Sequence, residues 1–170
     1  MLLVGAIKAA GDTNTFEGWA STSALDKQGD VIEPSAFAKS LGRFIDNGPI
    51  YWQHEEVFNP LAMPIGKAMD ARIADNGLWI VAKWANTEQA QQVRGLVLDG
   101  IVSRLSVGFT PVRMHRDSAL GHNVITEADL AEVSVVAIPA NDEARIVAAK
   151  AWLTGHEPAP ARRRVITSIR

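Results

Sequence analysis

The chain has 170 residues, 47% hydrophobic and 21% charged, a composition that supports one folded domain with a core and excludes disordered and fibrous classes. A formal net charge of -2 supplies no basic field to hold a phosphate backbone, so nucleic acid is not expected as a partner. Cysteine is absent, which excludes disulfides, thiolate nucleophiles and thiolate metal sites together.

The opening "MLLVGAIKAAGD" has a short apolar stretch with no basic region ahead of it, unlike a secretory signal. No apolar run nears the roughly 20 residues of a membrane span. A soluble cytoplasmic protein without a membrane partner is expected. Residues 2–9 read as a strand, and "TFEGWAST" after the turn signal "GDTN" as its hairpin partner. "TSALDKQGDVIEPSAF" reads as a loop ending where Pro34 can enter the first turn of a helix. That helix continues through Phe37, Leu41, Phe44 and Ile45, which share one face, and stops at Gly48.

"PIYWQ" is a short strand delivering "HEE", and "NPLAMP" is loop. "IGKAMDARIA" and "LWIVAKWA" read as strands joined by the hairpin turn "DNG". In the second, Leu78, Ile80, Ala82 and Trp84 occupy one face. Asn86 and Gln89 stand at capping-box spacing before a helix whose stripe is Ala90, Val93 and Val97, with Gly100 as its stop. "IVSRLSVGFTPVRMH" predicts a strand with Leu105, Val107 and Phe109 on one face and Arg104, Ser106 and Gly108 on the other. "LAEVSVVAIP" predicts a further strand, and Asn141 is placed to cap a last helix, "DEARIVAAKAWL". Residues 1–154 are thus expected to form one domain, and residues 155–170, with an arginine triplet and no periodicity, a mobile tail. The elements do not alternate as βαβ units, so the expected fold is mainly β, an antiparallel barrel or sandwich with packed helices.

Three residues stand out chemically. His54 begins "HEEVF", which starts like a zinc-protease helix but carries Phe58 where the second histidine belongs. A metal hydrolase on His54, Glu55 and Glu56 is disfavoured, and no metal or cofactor is expected. Ser106 in "RLSVGF" is either a small strand filler or a nucleophile, and Arg104 removes it from the G-x-S-x-G elbow of α/β-hydrolases. Glu132 is the one charge in a buried-looking strand, so it either faces water at an edge or orients a histidine.

In the order His, Ser, Glu, these segments resemble the prohead (capsid maturation) proteases of tailed phages of the HK97 type. "FEGWASTSALDKQGDVIEPSAFAKSL" resembles that family's opening block, "YWQHE" with "PIGKA" its histidine block, "GIVSRLSVGF" its serine block and "EADLAEVSVVAIPANDEARI" its terminal block, covering about residues 14–150. The resemblance implies a herpesvirus-protease-like antiparallel barrel and a serine endopeptidase. It would cut scaffold protein or the scaffolding segment of the major capsid protein, and itself, inside the immature prohead in the host cytoplasm. It implies His54, Ser106 and Glu132 as the catalytic set, with Glu127 and Asp129 as substitutes for Glu132. Arg104 is a weak candidate for substrate or oxyanion contact, being on the face of Ser106. Control of activity by a homodimer or by capsid confinement is implied too. The competing class is a non-enzymatic barrel serving as a capsid core or scaffold component.

Overall fold

The structure is a computed structural model that describes residues 14–74 and 76–149. The segments expected as a first strand, residues 2–9, and as a tail, residues 155–170, lie outside the described residues. The elements are β1 (Thr15–Thr22), β2 (Asp30–Ile32), a 3-10 turn (Pro34–Phe37), α1 (Leu41–Asn47), β3 (Pro49–Trp52) and α2 (Glu55–Phe58). They continue with β4 (Gly66–Ala74), β5 (Gly77–Trp84), α3 (Glu88–Leu98), β6 (Arg104–Asp117), β7 (His122–Val136) and β8 (Arg145–Ala149).

Seven strands close into a barrel in the order β7-β3-β4-β5-β1-β8-β6, with β6 pairing back onto β7 and β2 added to the outer part of β7. The barrel is mixed, which corrects the antiparallel expectation. β7 has two parallel partners, β2 through Asp30↔Asn123 and β3 through Ile50↔Val133, while the other pairings are antiparallel. The helical complement is small: α3 is the longest helix at 11 residues and α2 is a single turn of 4.

Period-two alternation builds the wall. Leu78, Ile80, Ala82 and Trp84 of β5 are all buried, facing Phe16 of β1 and Ile50 of β3 in the core, while Lys83 is exposed. Leu105, Val133 and Val135 have no exposed surface and form the wall's inner lining along β6 and β7. Burying side chains of this size stabilises by about 1.5–3 kcal/mol each.

Four local expectations are corrected. The helix expected from Pro34 up to its stop at Gly48 is broken at Ser40, whose Oγ accepts from the Leu130 N-H (3.1 Å) and donates to the Ala128 carbonyl (3.2 Å). These groups lie on the β7 edge between its pairings with β2 and β3, so the hydroxyl replaces a missing strand neighbour. Residues 30–32, expected as loop, extend that edge as β2. The cap of α3 is Thr87, whose Oγ1 accepts from the Ala90 N-H, rather than Asn86, and Gly100 follows the helix at φ 71°.

The last helix is the largest miss, because residues 145–149 form strand β8 against β1. Here the open edge of β1 outweighs helix propensity. Gly18 makes the approach possible: a Cβ there would lie 2.1 Å from the Arg145 carbonyl oxygen. Asn141 caps only a turn, accepting from the Glu143 N-H (2.9 Å), and its amide donates to the Thr22 carbonyl (2.9 Å), tying the loop to β1.

Candidate active site on the β6–β7 wall

Alternation that sends Leu105, Val133 and Val135 inward turns Ser106, Glu132 and Ser134 to the opposite face. The register aligns Ser106 with Ser134 across β6 and β7, and Ser134 with Tyr51 across β7 and β3. One row of polar residues therefore crosses three strands. All three β6–β7 residues are covered nonetheless, Ser106 at 8%, Glu132 at 3% and Ser134 at 0% exposure.

The cover comes from the chain leaving β3. Gln53 (φ 56°) and His54 (φ 55°) both take left-handed backbone, which costs a non-glycine residue roughly 1 kcal/mol and needs compensation. Compensation comes from β7 and the residue that follows it: the Gln53 N-H donates to the Val135 carbonyl (3.0 Å), the Gln53 side-chain oxygen accepts from the Ala137 N-H (3.2 Å), and the His54 N-H donates to Ser134 Oγ (3.2 Å). This double turn swings the imidazole over β7. His54 Nδ1 then lies 2.7 Å from Glu132 Oε1, and Ser134 Oγ donates to Glu132 Oε2 at 2.7 Å.

Both carboxylate oxygens of Glu132 are thereby engaged, as a buried carboxylate requires. Because Oε2 already receives the Ser134 hydroxyl, Oε1 is the acceptor for an Nδ1-H, and Nε2 is left as the free basic nitrogen of His54. The hydrogen bond that His54 donates to Glu132 raises the His54 pKa above its ordinary 6.5; partial burial opposes this, and the charges of Glu132 and Glu56 reinforce it.

Ser106 and His54 line one cleft of about 380 Å³, together with Asp26, Asp30, Phe109 and Asn141. Ser106 Oγ has no hydrogen bond among the described residues, to His54 or to any other group. Of the three acids considered from the sequence, Glu132 is the one that touches His54. Glu127 pairs with Lys39 (2.9 Å) and Asp129 with Arg43, both toward the other end of the hairpin. Arg104 points to the loop beyond β7, donating to the Asp142 carbonyl at 2.6 Å.

Two residues of the site were not singled out from the sequence. Ser134 is the junction between His54 and Glu132, and its signal was an i, i+2 pairing with Glu132 on one strand face. Gly108 lies opposite Glu132, where a Cβ would stand 2.3 Å from Oε1, so only glycine leaves the carboxylate its place. Beside the pair, α2 brings up Glu56. Burial first, then the charge of Glu132, pushes the Glu56 carboxyl up. One oxygen each of Glu56 and Glu132 and a ring nitrogen of His54 lie within 4.8 Å of one another. Glu55 instead accepts from Gln89 (2.9 Å), which fastens α2 to α3.

The closed barrel has counterparts of similar fold among solved viral proteases. The fold is similar to that of the bacteriophage T4 capsid assembly protease (TM-score 0.57, 12% identity, 74% of this chain and 82% of that one). It is also similar to the KSHV protease solved with a hexapeptide phosphonate inhibitor (TM-score 0.52, 12% identity, 78% and 63%). The chain belongs to the caudovirus prohead serine protease family, whose model matches residues 5–157. It is 31% identical over 144 residues to the prohead protease of Escherichia phage T5 and 28% identical over 149 residues to that of Enterobacteria phage HK97. A third relative is the capsid polyprotein of Pseudomonas phage PAJU2, at 26% identity over 152 residues. These matches cover 84–85% of this chain but 65%, 64% and 21% of the three relatives' own lengths.

Proposed function

We propose that the protein is a serine endopeptidase that cuts scaffold protein or the scaffolding segment of a major capsid protein, and itself, during capsid maturation. The observation that carries the reading is the His54–Glu132 hydrogen bond, made over the strand next to the one that presents Ser106 to the same cleft. Family membership and the names of the relatives agree with it.

In this mechanism His54 Nε2 takes the proton of Ser106 as Oγ attacks the scissile carbonyl, while Glu132 holds the Nδ1-H and stabilises the imidazolium. As the tetrahedral intermediate collapses, the C–N bond breaks and His54 returns the proton to the leaving amine. Water, deprotonated by His54, then hydrolyses the acyl-Ser106 ester and restores the serine. No metal or cofactor enters these steps. An extended peptide laid along the barrel as an added strand suits the substrate class. Arg104 keeps a lesser claim, since it would reach substrate only by releasing the Asp142 carbonyl. Residues 1–154 are assigned as the protease domain. The site of action follows from the substrate: the immature prohead in the host cytoplasm, with a homodimer or the shell itself as the control. Among the described residues no helix is long and apolar enough to cross a membrane.

The test is the Ser106→Ala variant, incubated with the capsid or scaffold protein of the same phage and followed by intact mass. A folded variant that leaves the substrate whole, while the wild type cleaves it, supports the assignment; undiminished cleavage overturns it. A wild-type protein that never cleaves substrate or itself favours the scaffold-component reading.

A further inference from the structure

We propose that His54, Glu56 and Glu132 form a binding site for a divalent transition-metal ion, best matched by Zn²⁺, and that the bound ion switches the protease off. The second half rests on the function proposed above; the first does not.

The ligand set is one imidazole nitrogen and two carboxylate oxygens, all within 4.8 Å of one another. Zn²⁺ holds such ligands at about 2.0–2.2 Å, commonly with three from the protein and a fourth position open. An independent observation points to a cation. Glu56 as a residue is half-buried, but its Oε2 is out of contact with water and has no hydrogen-bond partner among the described residues. A carboxylate oxygen so placed, facing a second carboxylate, is costly, and an ion shared between the two removes both costs. The supports are already rigid: Ser134 fixes Glu132, the β7 edge fixes the backbone of His54, and Gln89 holds the turn of α2 that carries Glu56. An imidazole in the set disfavours Mg²⁺ and Ca²⁺, which prefer all-oxygen coordination.

Inhibition follows from proton bookkeeping at the ring. The ion displaces the proton between His54 Nδ1 and Glu132 Oε1, which is released to solvent. A neutral imidazole bound through Nδ1 carries its one proton on Nε2, so the nitrogen needed to accept the Ser106 proton is blocked. The metal therefore competes with the hydrogen bond that orients the base, and no bond in the substrate is touched.

Binding is measured by calorimetry with ZnCl₂ on chelator-treated Ser106→Ala protein, which keeps the three ligands. Expected is a site of one ion per chain that weakens at least about tenfold in Ser106→Ala/Glu56→Gln, while Ser106→Ala/Asp129→Asn binds like its parent. Absence of binding, or binding that ignores Glu56→Gln in a variant with an unchanged melting curve, overturns the site. Should Glu56→Gln not fold, the same loss in Glu132→Gln serves, again judged against Asp129→Asn. In the activity arm, Zn²⁺ should inhibit wild-type cleavage reversibly with EDTA, Mg²⁺ should not, and the inhibitory concentration should rise at least about tenfold in Glu56→Gln. Glu56-dependent binding with undisturbed cleavage overturns the switch. A wild type that binds Zn²⁺ but never cleaves overturns the protease reading and leaves the site standing.

Discussion

The two ends of the β6–β7 hairpin are built from the same pair of strands, yet they treat their acids in opposite ways. At one end, residues 104–109 lie against residues 130–136, and Glu132 is 3% exposed between His54 and Ser134. At the other, residues 110–116 are exposed, and Glu127 and Asp129 form ion pairs with Lys39, Arg113 and Arg43 on the surface. Three acids within six positions of one strand thus have different physics. A buried carboxylate must be held by chosen donors, whereas a solvated one accepts any nearby cation at little gain.

The largest effect that sharpens this contrast is expected from Glu132→Gln. The amide keeps the shape but loses the charge that fixes the His54 tautomer, so kcat should fall by about 10³- to 10⁴-fold. The pH profile of the residual activity supplies the sign. In the proposed mechanism His54 must be neutral to act as base, and Glu132 raises its pKa, so wild-type kcat/KM should climb with pH through a value above the ordinary 6.5. In Glu132→Gln that acid limb should move to lower pH. A profile that stays in place would separate Glu132 from the base.

Gly108→Ala comes next. The added Cβ would stand 2.3 Å from Glu132 Oε1, so the carboxylate must move away from His54. Misplacement of about 1 Å near the chemistry commonly costs on the order of 10²-fold, and the loss should appear in kcat rather than KM. Ser134→Ala is milder. It removes the hydroxyl that donates to Glu132 Oε2 and accepts from the His54 N-H. A hydrogen bond to a charged group is worth about 1.5–3 kcal/mol, so an activity loss of about 10- to 100-fold is expected from peptide-cleavage kinetics. Parity of Ser134→Ala with wild type would mean that the dry end does not depend on its chosen donors.

The three residues proposed as the catalytic set, far apart along the chain, are the ones the sequence exposes. His54, Ser106 and Glu132 each broke the local pattern: a histidine before two glutamates, a serine amid apolar residues, a charge in a buried strand. Gly108 and Ser134 broke nothing. Their roles depend on register, Gly108 opposite Glu132 and Ser106 opposite Ser134, and register is set by pairings far apart in the chain. The same reasoning accounts for the fold. Strands β1, β4, β5, β6 and β7 follow from alternation, but β2 and β8 are short segments whose only cause is an open edge awaiting a partner. Local propensity spoke for loop in one case and helix in the other, and the edge prevailed.

The smallest expected effect falls at the solvated end and is the control for all the others. Asp129 and Arg43 are 50% and 66% exposed in their side chains, so their attraction is screened by water and offset by the entropy of holding two long groups together. Such a pair contributes about 0.2–1 kcal/mol. Asp129→Asn should therefore shift the melting temperature by only a few degrees and leave kcat/KM within about twofold of wild type. A loss comparable to that of Glu132→Gln would mean that the exposed end of the hairpin transmits its state to the buried one. The distinction between the two ends would then lie in dynamics along β6 and β7, and burial alone would no longer account for the choice of Glu132.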